Sequence, residues 1–157
     1  MDEKTQQALG MLTYGIYILT SRNGDEKQGM IASWVSQVSH NPPLVMVAVR
    51  ENRRMHSIVM EAGSFALHVL EKDEERLINK FKLPTPAERF ADVECATAAT
   101  GAPIIKDSLA YLDCRLWKTI PAGDHTLFIG EVVSAGSSDK GAALTSWDYG
   151  KIYTGKS

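Results

Sequence analysis

The dipeptide Asn23-Gly24 constrains this chain's fold more than any other feature. It follows Tyr14-Gly15-Ile16-Tyr17-Ile18-Leu19-Thr20, a run rich in β-branched and aromatic residues, and precedes a segment from Gln28 to Val38. Asn-Gly accepts the positive φ angles of a tight hairpin, so the chain is expected to turn there and return antiparallel. A hairpin therefore opens the fold.

Later segments extend the pattern. Asn41-Pro42-Pro43 marks a connection, because proline cannot donate to a sheet ladder, and Leu44 to Val49 reads as a third strand. Met55, Ile58, Val59 and Ala62 recur at helical spacing until Gly63 stops them. Ser64 to Leu70 reads as a strand. Asp73 to Phe81 reads as a helix with acidic residues in its first turn and Leu77, Ile78 and Phe81 on its buried face. A short helix is expected at Glu3 to Leu9, and loop with one short strand from Lys82 to Lys106. Two long strands, Ala110 to Ile120 and Thr126 to Ala135, close the order through Pro121-Ala122-Gly123-Asp124-His125. Many antiparallel strands with a few short helices give an α+β, mainly β fold whose sheet is expected to close on itself. Periodicity alone does not choose between a barrel and a sandwich.

With 157 residues, 44% of them hydrophobic, the chain suits one well-buried core, and a single domain over residues 1–157 is expected. Seventeen basic and 19 acidic residues leave a net charge of −2 with no basic stripe, so neither nucleic acid nor an anionic membrane is an expected partner. Apolar runs such as Gly15 to Leu19 fall far short of the roughly 20 residues that cross a bilayer, and Met1 to Gln7 lacks a signal-peptide core. A cytoplasmic location is expected. Cys95 and Cys114 form neither a metal nor a redox motif. Leu112, Cys114 and Leu116 alternate with Tyr111, Asp113 and Arg115, which puts the Cys114 thiol on the apolar face of a strand. No dinucleotide fingerprint, zinc constellation, phosphate loop or nucleophile elbow occurs.

The order of several motifs says more than their periodicity. Tyr14 to Ser21, Gly29-Met30-Ile31-Ala32-Ser33, Val38-Ser39-His40-Asn41-Pro42-Pro43-Leu44, Phe65 to Leu70, Arg89-Phe90 and Gly123-Asp124-His125 through Val132 resemble, in order and spacing, the flavin reductase-like family. Gln37-Val38 and Leu12-Thr13-Tyr14-Gly15 are similar in style to flavoredoxin and the flavin domain of high-molecular-weight rubredoxin. The resemblance implies an antiparallel FMN-binding split barrel. It also implies a homodimer, with FMN, or alternatively FAD, along the second and third strands near the dimer interface.

By that resemblance, Met30, Ile31, Ala32, Ser33, Trp34 and Val49 flank the flavin, and Arg50, Asn52, Arg53 and Ser57 serve its phosphate end. Small residues at Gly29, Ala32 and Ser33 would let a planar ring approach the backbone, although glycine and alanine also suit a tightly packed strand. Trp34 either covers the ring or fills the core. Arginine forks match phosphate oxygens, although a basic cluster in a turn is also an ordinary solvated face. Met55 stands where relatives often carry a hydroxyl. His125 falls where a nicotinamide stacks in the family, so NAD(P)H is implied as a transient donor and His125 as the catalytic residue; otherwise it is a turn residue. The expected function is an FMN oxidoreductase passing electrons from NAD(P)H to free flavin, a ferric complex or a partner redox protein. The alternative is an electron carrier without direct NAD(P)H oxidation, and a haem or flavin sensor is a third class.

Overall fold

The computed structural model describes residues 1–139 and 141–150. After the helix α1 (Glu3–Leu9), the opening hairpin pairs β1 (Tyr17–Asn23) with β2 (Glu26–Ala32). Gly24 sits in its turn at φ 58°. Next come β3 (Val35–Ser39), β4 (Leu44–Arg50), α2 (Arg54–Ala62) and β5 (Ser64–Val69). The remaining elements are α3 (Glu75–Phe81), α4 (Pro86–Phe90), β6 (Cys95–Ala96), β7 (Ile104–Ile105), β8 (Ala110–Ala122), β9 (His125–Ser137) and α5 (Ser146–Tyr149).

The main sheet runs β2-β1-β5-β8-β9-β4-β3, and every pairing in it is antiparallel. Its edge strands, β2 and β3, are consecutive in the chain, with only Ser33 and Trp34 between them. The backbone thus steps from one edge to the other, and the Ala48 N–H donates to the Trp34 carbonyl at 3.0 Å. That step closes the sheet into a split barrel.

Leu19, Val47, Val49, Phe65, Leu67 and Phe128 fill the barrel interior, and Met55 and Val59 of α2 join the same cluster. Burying a side chain such as Phe65 or Phe128 contributes roughly 2–3 kcal/mol. The alternate residue Ile18 points the other way, into a second cluster with Leu70, Leu77, Phe81 and Phe90 beneath α3 and α4. Strand β1 is therefore buried on both faces, which is why its apolar run is continuous rather than alternating. Gly63 ends α2 in the left-handed conformation at φ 66°, the role its position implied.

Four details depart from the sequence-based expectation. Strand β1 starts at Tyr17, because residues 14–16 pair instead with the chain's later part: Ile16 N–H donates to Leu144 at 3.0 Å, and Gly15 bridges Thr145. The return after the hairpin breaks at Ser33-Trp34, where the chain changes edges. The connection between the long strands shrinks to Gly123-Asp124, with Pro121 and Ala122 inside β8 and His125 already in β9. The stretch expected to be loop with one strand holds α4 and both β6 and β7. Proline at the first helical turn and a Thr85–Glu88 capping box build α4.

Asp113 also breaks the expected alternation. Cys114 is buried as anticipated, yet its neighbour is fully buried as well. The Asp113 carboxylate accepts from the backbone of Ala99 at 2.7 Å and Thr100 at 2.9 Å, and from the Thr100 hydroxyl. A loop folded over the outside of β8 thus covers a face that periodicity assigns to solvent.

Candidate functional site

The place where the chain changes edges also opens a cleft. Met30, Ile31, Ala32, Ser33 and Trp34 form one wall; Ala48, Arg50 and Arg53 from the end of β4 and the following turn, with His125 from the start of β9, form the other. Tyr14, Ile16 and Tyr149 complete a cleft of about 250 Å³. The small side chains of Ala32, Ser33 and Ala48 leave room for a flat group. Strand β2 is an edge, so alternate backbone groups face away from β1. Gly29 belongs to the outward set, since its carbonyl accepts from Arg89 at 3.1 Å, and the alternation gives the Ile31 amide the same direction.

His125 is placed by register and by a carboxylate. It lies opposite Arg50 in the β4–β9 ladder, and its Nδ1 is 2.6 Å from Asp124 Oδ1. A carboxylate oxygen accepts, so Nδ1 carries the proton. The other Asp124 oxygen pairs with Arg50 at 3.4 Å. The hydrogen bond from His125, then the His125 and Arg50 charges, hold the Asp124 carboxyl below its ordinary range. On the cleft side, the His125 and Trp34 rings sit 4.8 Å apart at 40°. His56 lies behind this assembly, with Nε2 2.8 Å from Thr126 Oγ1.

A second groove of about 370 Å³ continues from the cleft and shares Met30, Ile31 and Arg53 with it. Arg54, Lys82 and Arg89 also line it. Arg54 is already committed, to Glu26 at 2.7 Å and Glu61 at 3.6 Å. Among the described residues Arg89 donates to neutral acceptors: Leu83 O at 2.7 Å, Pro84 O at 3.2 Å, Gly29 O and Gln28 Oε1. Burial, then the nearby Arg53 charge, push the Arg89 guanidinium below its ordinary value. Among the described residues neither Arg53 nor Arg89 has an ion pair. Two guanidiniums thus face one groove without a carboxylate between them.

The flavin reductase-like domain family matches residues 9–154. The chain belongs to that family. Diflavin flavoprotein A 1 of Synechocystis sp. is 36% identical over 155 residues, covering 97% of this chain but 27% of that protein. The chain thus spans about a quarter of the length of the curated relatives it matches. Among solved structures, the NADH:FAD oxidoreductase SgcE6 of Streptomyces globisporus is 30% identical, with a TM-score of 0.84 over 92% of this chain and 90% of that one. BorF, the flavin reductase component of a bacterial two-component tryptophan halogenase, is 31% identical, with a TM-score of 0.81 and 92% of each chain covered. With this fold and these relatives, the chain is a flavin reductase-like domain. Among the described residues no helix is long and apolar enough to cross a membrane.

Of the residues singled out from sequence, Met30, Ile31, Ala32, Ser33, Trp34, Arg50, Arg53 and His125 come together in the cleft lining. Three do not. Val49 points into the barrel core, Asn52 is exposed and lines neither cavity, and Ser57 bonds to Arg54 at 2.8 Å. Gly29 follows the packing alternative. A Cβ there would lie 2.3 Å from the Phe81 ring, so the glycine lets α3 and α4 pack on β2 rather than admitting a ligand. Tyr14, Tyr149, Lys82 and Arg89 were not assigned roles from sequence, because each reaches the site from a segment distant in the chain. The Arg89-Phe90 motif and the segments that include Tyr14 were the signals that pointed there.

Proposed function

We propose that this chain binds FMN, with the ring system in the cleft and the phosphate in the adjoining groove, and uses it to oxidise NAD(P)H. Electrons then pass to free flavin, a ferric complex or a partner redox protein. The observation that carries this reading is the junction of a small-residue, aromatic-rimmed cleft with a groove lined by both Arg53 and Arg89, neither of which has an ion pair among the described residues. A phosphate there would relieve the repulsion between them and suit their planar forks.

When bound, flavin supplies an acceptor for hydride and a donor of electrons onward. The protein's task is then placement. Ala32, Ser33 and Ala48 admit a flat ring, and Trp34 borders it. Asp124 fixes the His125 ring, and Arg50 fixes Asp124, so His125 presents one defined edge to an incoming nicotinamide. Orientation of this kind is worth several kcal/mol in a reaction that needs no protein nucleophile. A homodimer belongs to the same proposal: Val38 on edge strand β3 and Trp117 and Ile120 on β8 are exposed apolar residues that a second copy would cover.

A carrier role is the second reading. It draws on the diflavin flavoproteins, of which this chain matches only 27%, so that electrons would arrive from elsewhere in a longer protein. Anaerobic mixing of the FMN-loaded chain with NADH or NADPH separates the two. Rapid bleaching of the flavin band supports the oxidoreductase; a band unchanged by both nucleotides but bleached by dithionite supports the carrier.

A further inference from the structure

Residues 142–146 form a strap held on both sides. Lys72 N–H donates to Ala142 O and Leu144 N–H to Leu70 O, each at 2.8 Å, while Ile16 N–H donates to Leu144 O and Ser146 N–H to Tyr14 O at 2.8 Å. Tyr14 N–H in turn reaches Ser146 Oγ at 3.2 Å. The strap leads directly into α5, capped by Thr145 and tied by a Lys72–Asp148 ion pair at 3.2 Å, and α5 delivers Tyr149 to the cleft. Tyr149 is thus a wall residue supplied from outside the barrel.

Its ring has a second neighbour. The Lys82 ammonium lies 5.2 Å from the Tyr149 ring centroid, within cation–π range, and Lys82 also lines the cationic groove. Lys82 thus links the groove to a residue of the cleft wall.

We propose that Tyr149 is a positioning residue of the flavin site and that its contact with Lys82 couples the aromatic wall of the cleft to phosphate binding in the groove. The proposal rests on the flavin reading above. An aromatic ring at position 149 borders the flavin ring and also keeps the Lys82 ammonium at the groove. Loss of the ring releases a long, flexible side chain whose charge then contributes less to phosphate binding. The coupling runs through the aromatic ring.

The test is fluorescence titration of FMN and of riboflavin, which lacks the phosphate, into the full chain and into Tyr149→Phe, Tyr149→Leu, Lys82→Met and Tyr149→Leu/Lys82→Met. Thermal unfolding confirms that each variant is folded. Tyr149→Phe should bind both flavins like the wild type. Lys82→Met should weaken FMN about three- to ten-fold and leave riboflavin within about two-fold. Tyr149→Leu should weaken both, FMN more than riboflavin, and in the Lys82→Met background its effect on FMN should shrink to its effect on riboflavin. Additive losses for FMN, or full riboflavin affinity in Tyr149→Leu, would overturn the proposal while leaving the flavin reading intact. A wild-type chain that binds neither flavin would overturn both.

Discussion

Replacing Arg53 by Ala removes the one cation among the described residues that lines both cavities, and its effect should depend on whether the ligand carries a phosphate. FMN affinity is expected to fall roughly ten- to a hundred-fold, the equivalent of one charge-assisted contact of about 1.5–3 kcal/mol, while riboflavin should change little. Parallel titrations of the two flavins check this, and equal losses would assign Arg53 to the fold. Asn52, exposed and outside both cavities, should tolerate Ala with no change for either flavin. His125→Ala is expected to act on rate instead. It should keep FMN affinity nearly intact but slow anaerobic reduction by NAD(P)H on the order of a hundred-fold, because the nicotinamide would lose its fixed neighbour. Stopped-flow absorbance measures that rate, and unchanged reduction would leave His125 a structural residue of β9.

At the scale of elements, His68 ties three strands together. Its Nδ1 lies 3.0 Å from the Ile18 carbonyl and so carries the proton, while Nε2 accepts from the Ile105 N–H at 3.1 Å. Burial lowers its pKa from 6.5 to about 4. Above pH 6.5 the imidazole is neutral in both the folded and unfolded chain. As pH falls from there, the unfolded chain takes up a proton that the folded one refuses, so stability is lost down to about pH 4. The total is of order 3 kcal/mol. Urea unfolding at pH about 7, 5.5 and 4.5 should show the decline, and His68→Gln should flatten it. A second element-scale prediction concerns Gly29→Ala. Its added methyl would meet the Phe81 ring, itself stacked edge-on with Phe90 at 5.3 Å, and should cost about 1–3 kcal/mol in unfolding free energy. These contacts also show what the sequence made legible. The hairpin at Asn23-Gly24, the α2 stop at Gly63 and the alternation around Cys114 are local signals, set by φ preference and by side-chain period. Helix α4 was legible in principle from Thr85-Pro86 and Glu88, but Pro84 and Pro86, with Pro103 further on, read more readily as loop. The burial of Asp113 and the packing of Phe81 on Gly29 were not legible, because both are fixed by partners distant in sequence.

Closure of the whole barrel sets the site. The step from β2 to β3 puts Ser33 and Trp34 at the seam, and the pairing of β4 with β9 brings Arg50 and His125 to the same end. Eight of the residues picked from sequence meet there because they lie at the end of β2, in the Ser33-Trp34 step, at and just after the end of β4, and at the start of β9. Arg89, Lys82 and Tyr149 escaped because they reach the site from α4, the end of α3 and the strap. The exposed Trp117, Ile120 and Val38 predict association: sedimentation of the FMN-loaded chain should give a dimer, and Trp117→Lys with Ile120→Lys should shift it toward monomer. A wild-type monomer with full FMN affinity would remove the dimer from the proposal. The most direct test of the central claim is equilibrium titration of the purified chain with FMN and riboflavin. Binding of one FMN per chain, with riboflavin held at least about ten-fold more weakly, is the predicted result; FMN fluorescence and absorbance unchanged at high micromolar protein would contradict it.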